Sequence, residues 1–189
     1  MRLFLAINLS ERARELIENK VTLVQQSIAQ DVKWVKPQNW HLTLKFLGDT
    51  EDDKISKIKK SMGDIATDHK SFYIQYTGIG AFPHLNYPRV IYIGVNRGSQ
   101  NLLQIQKEIE ENFIDLGFKP EDREFTPHLT IGRGRKSIDH TQLSRDLKEY
   151  VEKDYFINVY SPAVEISLMK SELYPAGPVY KEIFSKKLQ

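Results

Sequence analysis

The sequence predicts an α+β fold made of two similar lobes packed about a pseudo-two-fold axis. Three observations carry that expectation. Short apolar runs rich in strand formers alternate with amphipathic stretches of helical period. The run "LFLAIN" from Leu3 returns 88 positions later as "IYIGVN" from Ile91, matching aromatic to aromatic, small to small and Asn to Asn. The tetrapeptide "HLTL" from His41 returns 87 positions later as "HLTI" from His128, so one single-residue length change aligns both repeats.

The elements follow in order. Leu3–Asn8 reads as a strand, and Ser10 stands where a helix N-cap belongs. From Glu11 to Gln30, Ala13, Ile17, Val21, Val24 and Ile28 recur at three- and four-residue steps, the mark of an amphipathic helix. "VKWV" is a brief strand, "KPQN" a turn, and "HLTLKFL" an alternating strand closed by Gly48. A second helix is expected from Asp49–Thr50, with Ile55, Ile58, Met62 and Ile65 as its stripe. "SFYIQYTGIG" and "RVIYIGV" are strands, and "AFPHLNYP" between them, with two prolines, is expected to be a turn region. Ser99–Leu116 is a third helix with Leu102, Ile105, Ile109, Phe113 and Leu116 on one face, and Gly117 is placed to end it. A weaker fourth helix is expected over Asp139–Val151. The strand-rich "YFINVYSPAVEISLMKSEL", a turn at "YPAGP" and a last strand at "VYKEIF" complete the chain. No linker divides the halves. The expectation is one internally duplicated domain over 1–189, with lobes of roughly 1–88 and 89–189 and strand exchange between them left open.

Composition bounds the chemistry. The chain has 189 residues, 40% hydrophobic and 28% charged, with a net charge of +2 and a pI near 8.6. It is mildly basic, which suits a phosphate-bearing ligand but not non-specific coating of nucleic acid. With no cysteine, disulfides, thiolate zinc sites and a Cys nucleophile are excluded. The apolar opening is too short for a signal peptide or a spanning helix. The expected location is the cytoplasm, with no membrane partner, and the expected state is a monomer.

Strand parity gives the repeated tetrapeptide its meaning. His41 and Thr43 share one face and Leu42 and Leu44 the other; His128 and Thr130 stand likewise against Leu129 and Ile131. Pseudo-symmetric packing brings two imidazoles and two hydroxyls to one cleft. A single strand histidine is ordinarily structural; two in register inside a duplicated frame point to a site. Displacement at phosphorus needs a base for the nucleophile and an acid for the leaving oxygen, and two imidazoles can divide those roles near neutral pH. The threonines can donate to non-bridging phosphate oxygens. No metal is required, and no metal-ligand cluster is evident. His69, His84 and His140 lie in polar or turn contexts and read as structural or exposed, with His84 the least settled because its loop could border the cleft.

The paired motifs resemble those of the 2H phosphoesterase superfamily. The flanking "RLFLAINL", "PRVIYIG", "FTPHLTIGR" and "SELYPAGPVY" are similar to the RNA 2′,3′-cyclic phosphodiesterases, also called 2′-5′ RNA ligases. The resemblance covers nearly the whole chain. It implies antiparallel sheets flanking a central cleft with helices outside, and metal-independent hydrolysis of RNA 2′,3′-cyclic phosphate ends to 2′-phosphates. It also implies joining of such ends to a 5′-hydroxyl through a 2′-5′ linkage, with no cofactor and an RNA end or related nucleotide as partner. On this chain it implies His41 and His128 as catalysts, with Thr43 and Thr130 on the phosphate. We assign His128 as the base for water and His41 as the acid for O3′; a symmetric site could run either way.

The resemblance further implies substrate contact by Phe46 and Arg133. Parity objects: each lies an odd number of residues from its histidine, so a straight strand aims both away from the cleft. Either the strands bulge or end first, or Phe46 is core. Arg133 reads as a phosphate contact and Phe46 equally as core or as a base-stacking platform. Lys45 has the parity to line the cleft and reads as a solvated lysine. Competing readings keep the site and change the ligand: a small cyclic nucleotide, ADP-ribose 1″,2″-cyclic phosphate or 2′-5′ oligoadenylate. From a different class comes a nucleotide- or RNA-binding module without turnover.

Overall fold

Both members of the repeated apolar run are interior strands, each in its own antiparallel sheet. The computed structural model describes residues 1–151, 155–175 and 177–189. In chain order it holds β1 (Arg2–Asn8), α1 (Glu11–Ser27), β2 (Val32–Trp34), β3 (His41–Asp49), α2 (Ile55–Asp68), β4 (Phe72–His84) and β5 (Tyr87–Val95). There follow α3 (Ser99–Ile114), β6 (His128–Gly134), α4 (His140–Leu147), β7 (Tyr160–Ala163), β8 (Glu165–Tyr174) and β9 (Gly177–Lys187). The first sheet runs β3-β1-β8-β9 and the second β2-β6-β5-β4-β7.

The helices bury the faces their periodicity marked. Ala13, Ile17, Val21 and Val24 of α1 are buried, as are Ile58, Met62 and Ile65 of α2 and Leu102, Ile105, Ile109 and Phe113 of α3. At about 1.5–3 kcal/mol for each large side chain removed from water, these stripes hold the helices on the sheets. Ser10 caps α1, its hydroxyl accepting from the Ala13 N–H at 3.3 Å. α3 ends two residues before the expected Leu116. Gly117 takes a left-handed φ of 80°, so its N–H reaches the Ile114 carbonyl at 2.8 Å and that of Phe118 reaches Phe113 at 3.0 Å.

Several boundaries differ from expectation. Gly48 does not close β3; Asp49 still pairs with Arg2, and the Thr50 N–H continues the edge to the Met1 carbonyl at 2.7 Å. The second helix therefore waits until Ile55, after one 3-10 turn over Asp52–Lys54. "KPQN" contains a 3-10 turn at Pro37–Asn39. "AFPHLNYP" is not a turn region: β4 and β5 run through it as a hairpin, and His84 pairs with Tyr87 across a two-residue turn. Its prolines, which cannot donate to a ladder, face each other at Pro83↔Pro88 where the register shifts, after a cis Phe82–Pro83 bond. The fourth helix is α4 plus a 3-10 turn at Lys148–Tyr150, capped by the Asp139 carboxylate. At "YPAGP", residue 176 lies outside the described residues, as do 152–154.

Neither sheet belongs to one half of the sequence. β4, which follows α2, joins β5 of the second half, while β8, which follows α4, joins β1 of the first. β2 crosses as well, onto β6. The sheets therefore do not divide at residues 88 and 89. Along β1, Leu3, Leu5 and Ile7 face the main core; Phe4 and Ala6 face the other way, against Met169 and Tyr180. Tyr180, packed on that second face, lines a cleft.

Candidate active site

β3 and β6 carry the repeated motifs, one on each sheet, and both line a single cleft of about 1080 Å³. Leu42, Leu44, Leu129 and Ile131 are buried as parity requires, and His41, Thr43, His128 and Thr130 are half-buried on the cleft side.

The parity objection to Phe46 and Arg133 is resolved by two bulges. Ala6 pairs with Thr43, but Leu5 pairs with Lys45, so Leu44 is an extra residue. Tyr92 pairs with Thr130, but Ile91 pairs with Gly132, so Ile131 is extra at the equivalent place. Each bulge shifts the alternation by one. Phe46 consequently returns to the cleft, 60% exposed, and is not core. Arg133 returns on the facing strand, at the position equivalent to Phe46. The same shift turns Lys45 inward. It is 2% exposed rather than solvated, and its ammonium pairs with Glu110 at 2.6 Å and donates to the Lys119 carbonyl at 3.0 Å.

The imidazoles are held alike. Nδ1 of His41 lies 2.8 Å from the Asn39 carbonyl and Nδ1 of His128 lies 2.7 Å from that of Thr126, in each case two residues upstream. A peptide carbonyl only accepts, so Nδ1 carries the proton and Nε2 is left for chemistry. Burial pushes the His41 pKa down to about 4, against the bond to Asn39 and helped by the charge of His128. Burial also lowers that of His128, again against its carbonyl bond, and the Arg133 charge adds to the effect. Both rings are therefore neutral in the empty site near pH 7, and the two histidines and Arg133 sense one another.

Aromatic side chains that the motifs did not reveal seat both rings. His41 lies between Phe4 and Tyr180, with centroids at 4.7 and 5.1 Å. His128 meets Phe82 and Tyr92 at 4.9 and 5.3 Å. Gly80 makes this possible: a Cβ there would lie 2.4 Å from the Tyr92 ring. Phe4 and Tyr92 occupy matching positions of the repeated run, so the duplication itself signalled them. Tyr180 and Phe82 arrive on exchanged or hairpin strands and carried no comparable signal. The other histidines stay outside the cleft lining: His69 bonds Glu108 at 2.9 Å, His140 stacks on Tyr87 at 3.7 Å, and His84 is exposed at the hairpin end.

With that geometry in hand, comparison with known proteins is direct. The family model described as LigT like Phosphoesterase matches the chain twice, over residues 8–92 and 93–180, one match for each half of the duplication. The chain is 40% identical to the RNA 2′,3′-cyclic phosphodiesterase of Methanocaldococcus jannaschii, covering 97% of this chain and 98% of that protein. It is 35% identical to the protein of the same name from Methanothermobacter thermautotrophicus, covering 97% and 96%. Among solved structures, E. coli LigT complexed with 3′-AMP shares the fold with a TM-score of 0.78 at 22% identity, covering 99% of this chain and 97% of that one.

Proposed function

The chain belongs to the LigT-like phosphoesterase family, and from that membership and its cleft we propose that it hydrolyses RNA 2′,3′-cyclic phosphate ends to 2′-phosphates. The observation that carries the reading is the matched pair of imidazoles, each with Nδ1–H held by a backbone carbonyl and Nε2 left for chemistry in one cleft. Its relatives' shared name, RNA 2′,3′-cyclic phosphodiesterase, supports the same substrate.

In this reading water attacks phosphorus in line with the P–O3′ bond. His128 Nε2 takes the proton from water as the new P–O bond forms. The P–O3′ bond breaks, and His41 Nε2–H delivers its proton to O3′. The products are a 2′-phosphate and a 3′-hydroxyl. The anionic phosphate, once bound, favours the imidazolium that burial disfavours in the empty site. Thr43 and Thr130 donate to non-bridging oxygens, Arg133 balances their charge, and Phe46 offers an exposed ring for a base. A 5′-hydroxyl in place of water gives a 2′-5′ linkage. One chain supplies both imidazoles, so the working state we propose is a monomer; the cytoplasm is the proposed location. Among the described residues no helix is long and apolar enough to cross a membrane.

The test is turnover of a short RNA ending in a 2′,3′-cyclic phosphate, with EDTA present. The expected product is the 2′-phosphate, and H41A and H128A are each expected to lose at least about a hundredfold in kcat while remaining folded. A 3′-phosphate product would reverse the assignment of His41 as acid. Near-normal turnover by either variant would overturn the two-histidine mechanism, and loss with EDTA would make the reaction metal-dependent.

A further inference from the structure

Where β2 crosses onto β6, the register sets Lys33 directly opposite Arg133. Residues so opposed share a face, and like charges there repel. Both side chains are exposed and both line the cleft. Two residues along, just past the paired ends of both strands, the equivalent charge is neutralised: Arg135 pairs with Asp31 at 3.1 Å. Among the described residues no carboxylate does the same at Lys33. Among the described residues neither Lys33 nor Arg133 enters an ion pair, although Glu121 and Glu124 line the same cleft. Arg133 is close enough to His128 and Tyr180 for its charge to be felt at both, so its guanidinium belongs to the reacting centre. Lys33 stands one strand further out, on the edge of the sheet. A pair of unneutralised cations stepping outward from the reacting phosphate suits a second phosphate, and a single cyclic nucleotide does not carry one.

We propose that Lys33 contacts substrate, binding the phosphodiester on the 5′ side of the terminal nucleotide, so that the cleft selects an RNA strand over a single nucleoside 2′,3′-cyclic phosphate. This inference rests on the cyclic phosphodiesterase reading for its orientation. The repulsion between Lys33 and Arg133 is relieved when a phosphate lies between them, and an exposed lysine holds it as a screened, salt-sensitive contact.

The experiment compares wild type, K33A, K33E and K33R on two substrates, adenosine 2′,3′-cyclic phosphate and a trinucleotide with the same cyclic end. The ratio of kcat/KM for trinucleotide to that for mononucleotide should fall about five- to tenfold in K33A, through KM. It should fall further in K33E and be largely restored in K33R. The slope of log KM against log salt for the trinucleotide should shrink by up to about 0.7 in K33A, one contact's share on a single strand. Thermal stability of K33A should be unchanged or higher, because a repulsion is removed. An unchanged ratio and salt slope in K33A would overturn the inference while leaving the proposed reaction standing. Binding of a trinucleotide ending in 2′-phosphate, which needs no turnover, separates the two readings. If wild type cleaves neither substrate yet binds this product in a Lys33-dependent way, the reaction fails and the subsite survives; Lys33-independent binding removes the subsite as well.

Discussion

At His41 burial and chemistry pull in opposite directions. The ring sits against Phe4 and Tyr180, and burial holds its pKa at about 4. An unfolded histidine titrates near 6.5, so below that pH the unfolded chain takes up a proton that the folded site refuses. Stability associated with His41 is therefore complete above pH 6.5 and is lost as pH falls toward 4, by about 3 kcal/mol over the interval. His128 acts in the same direction. Urea unfolding at pH 7 and pH 4.5 should show this loss in wild type and markedly less of it in H41Q. The same burial should appear in activity: kcat/KM, which reports the free enzyme, should rise through a limb near pH 4 and fall through one below 6.5. Parallel stability curves for wild type and H41Q, or an alkaline limb above pH 7, would show that His41 is not held neutral by burial in the free protein.

The bulges in β3 and β6 are the elements that a straight reading of alternation could not anticipate. "HLTLKF" and "HLTIGR" show a period of two from the histidine, and nothing in residue type marks Leu44 or Ile131 as unpaired. The four motif residues were legible because they precede the bulge; of those that follow it, Lys45 was read on the wrong face, Phe46 was left open between core and stacking, and Arg133 was read as a phosphate contact against its parity. What the bulge does with Lys45 is specific. It delivers a cation to Glu110 on α3, whose carboxylate also accepts from Gln106 at 3.1 Å and from the Glu121 N–H at 3.3 Å. Lys45 also holds the Lys119 carbonyl. The strand bearing one histidine is thus fastened to the segment that delivers the other, and that segment's Thr126 carbonyl sets the His128 tautomer. Breaking a buried pair by removing one partner leaves an uncompensated charge. K45M should lose about 3 kcal/mol in chemical unfolding, and trypsin should cut after Arg123 faster than in wild type. Unchanged stability together with unchanged cleavage would mean that the pair does not fasten the segment.

At the scale of the molecule, the duplication was written in the sequence but the exchange was not. Two offsets located the equivalent strands and histidines, and the family model finds the same two halves. Which strands pair was hidden, because β4 and β8 follow equivalent helices and either could complete either sheet. The chain resolves the choice by crossing: β8 and β9 complete the sheet of His41, while β2 and β4 flank the strands of His128's sheet. α3 packs against β3, so helices cross with the strands. Residues 1–86 alone would leave β1 without β8 and expose Phe4 and Ala6, which in the whole chain lie against Met169 and Tyr180. Residues 87–189 alone would leave β5 without β4 and strip Phe82 from His128. Neither half keeps one complete sheet, so the two sheets should unfold as one cooperative unit. Cut in the exposed turn between His84 and Tyr87, the fragments 1–86 and 87–189 should each lack cooperative unfolding by circular dichroism. Mixed, they should regain a single transition and cyclic phosphodiesterase activity. A fragment that folded alone would show that one sheet is stable without its borrowed strands, and the cleft would then be an interface between two domains rather than a product of their exchange.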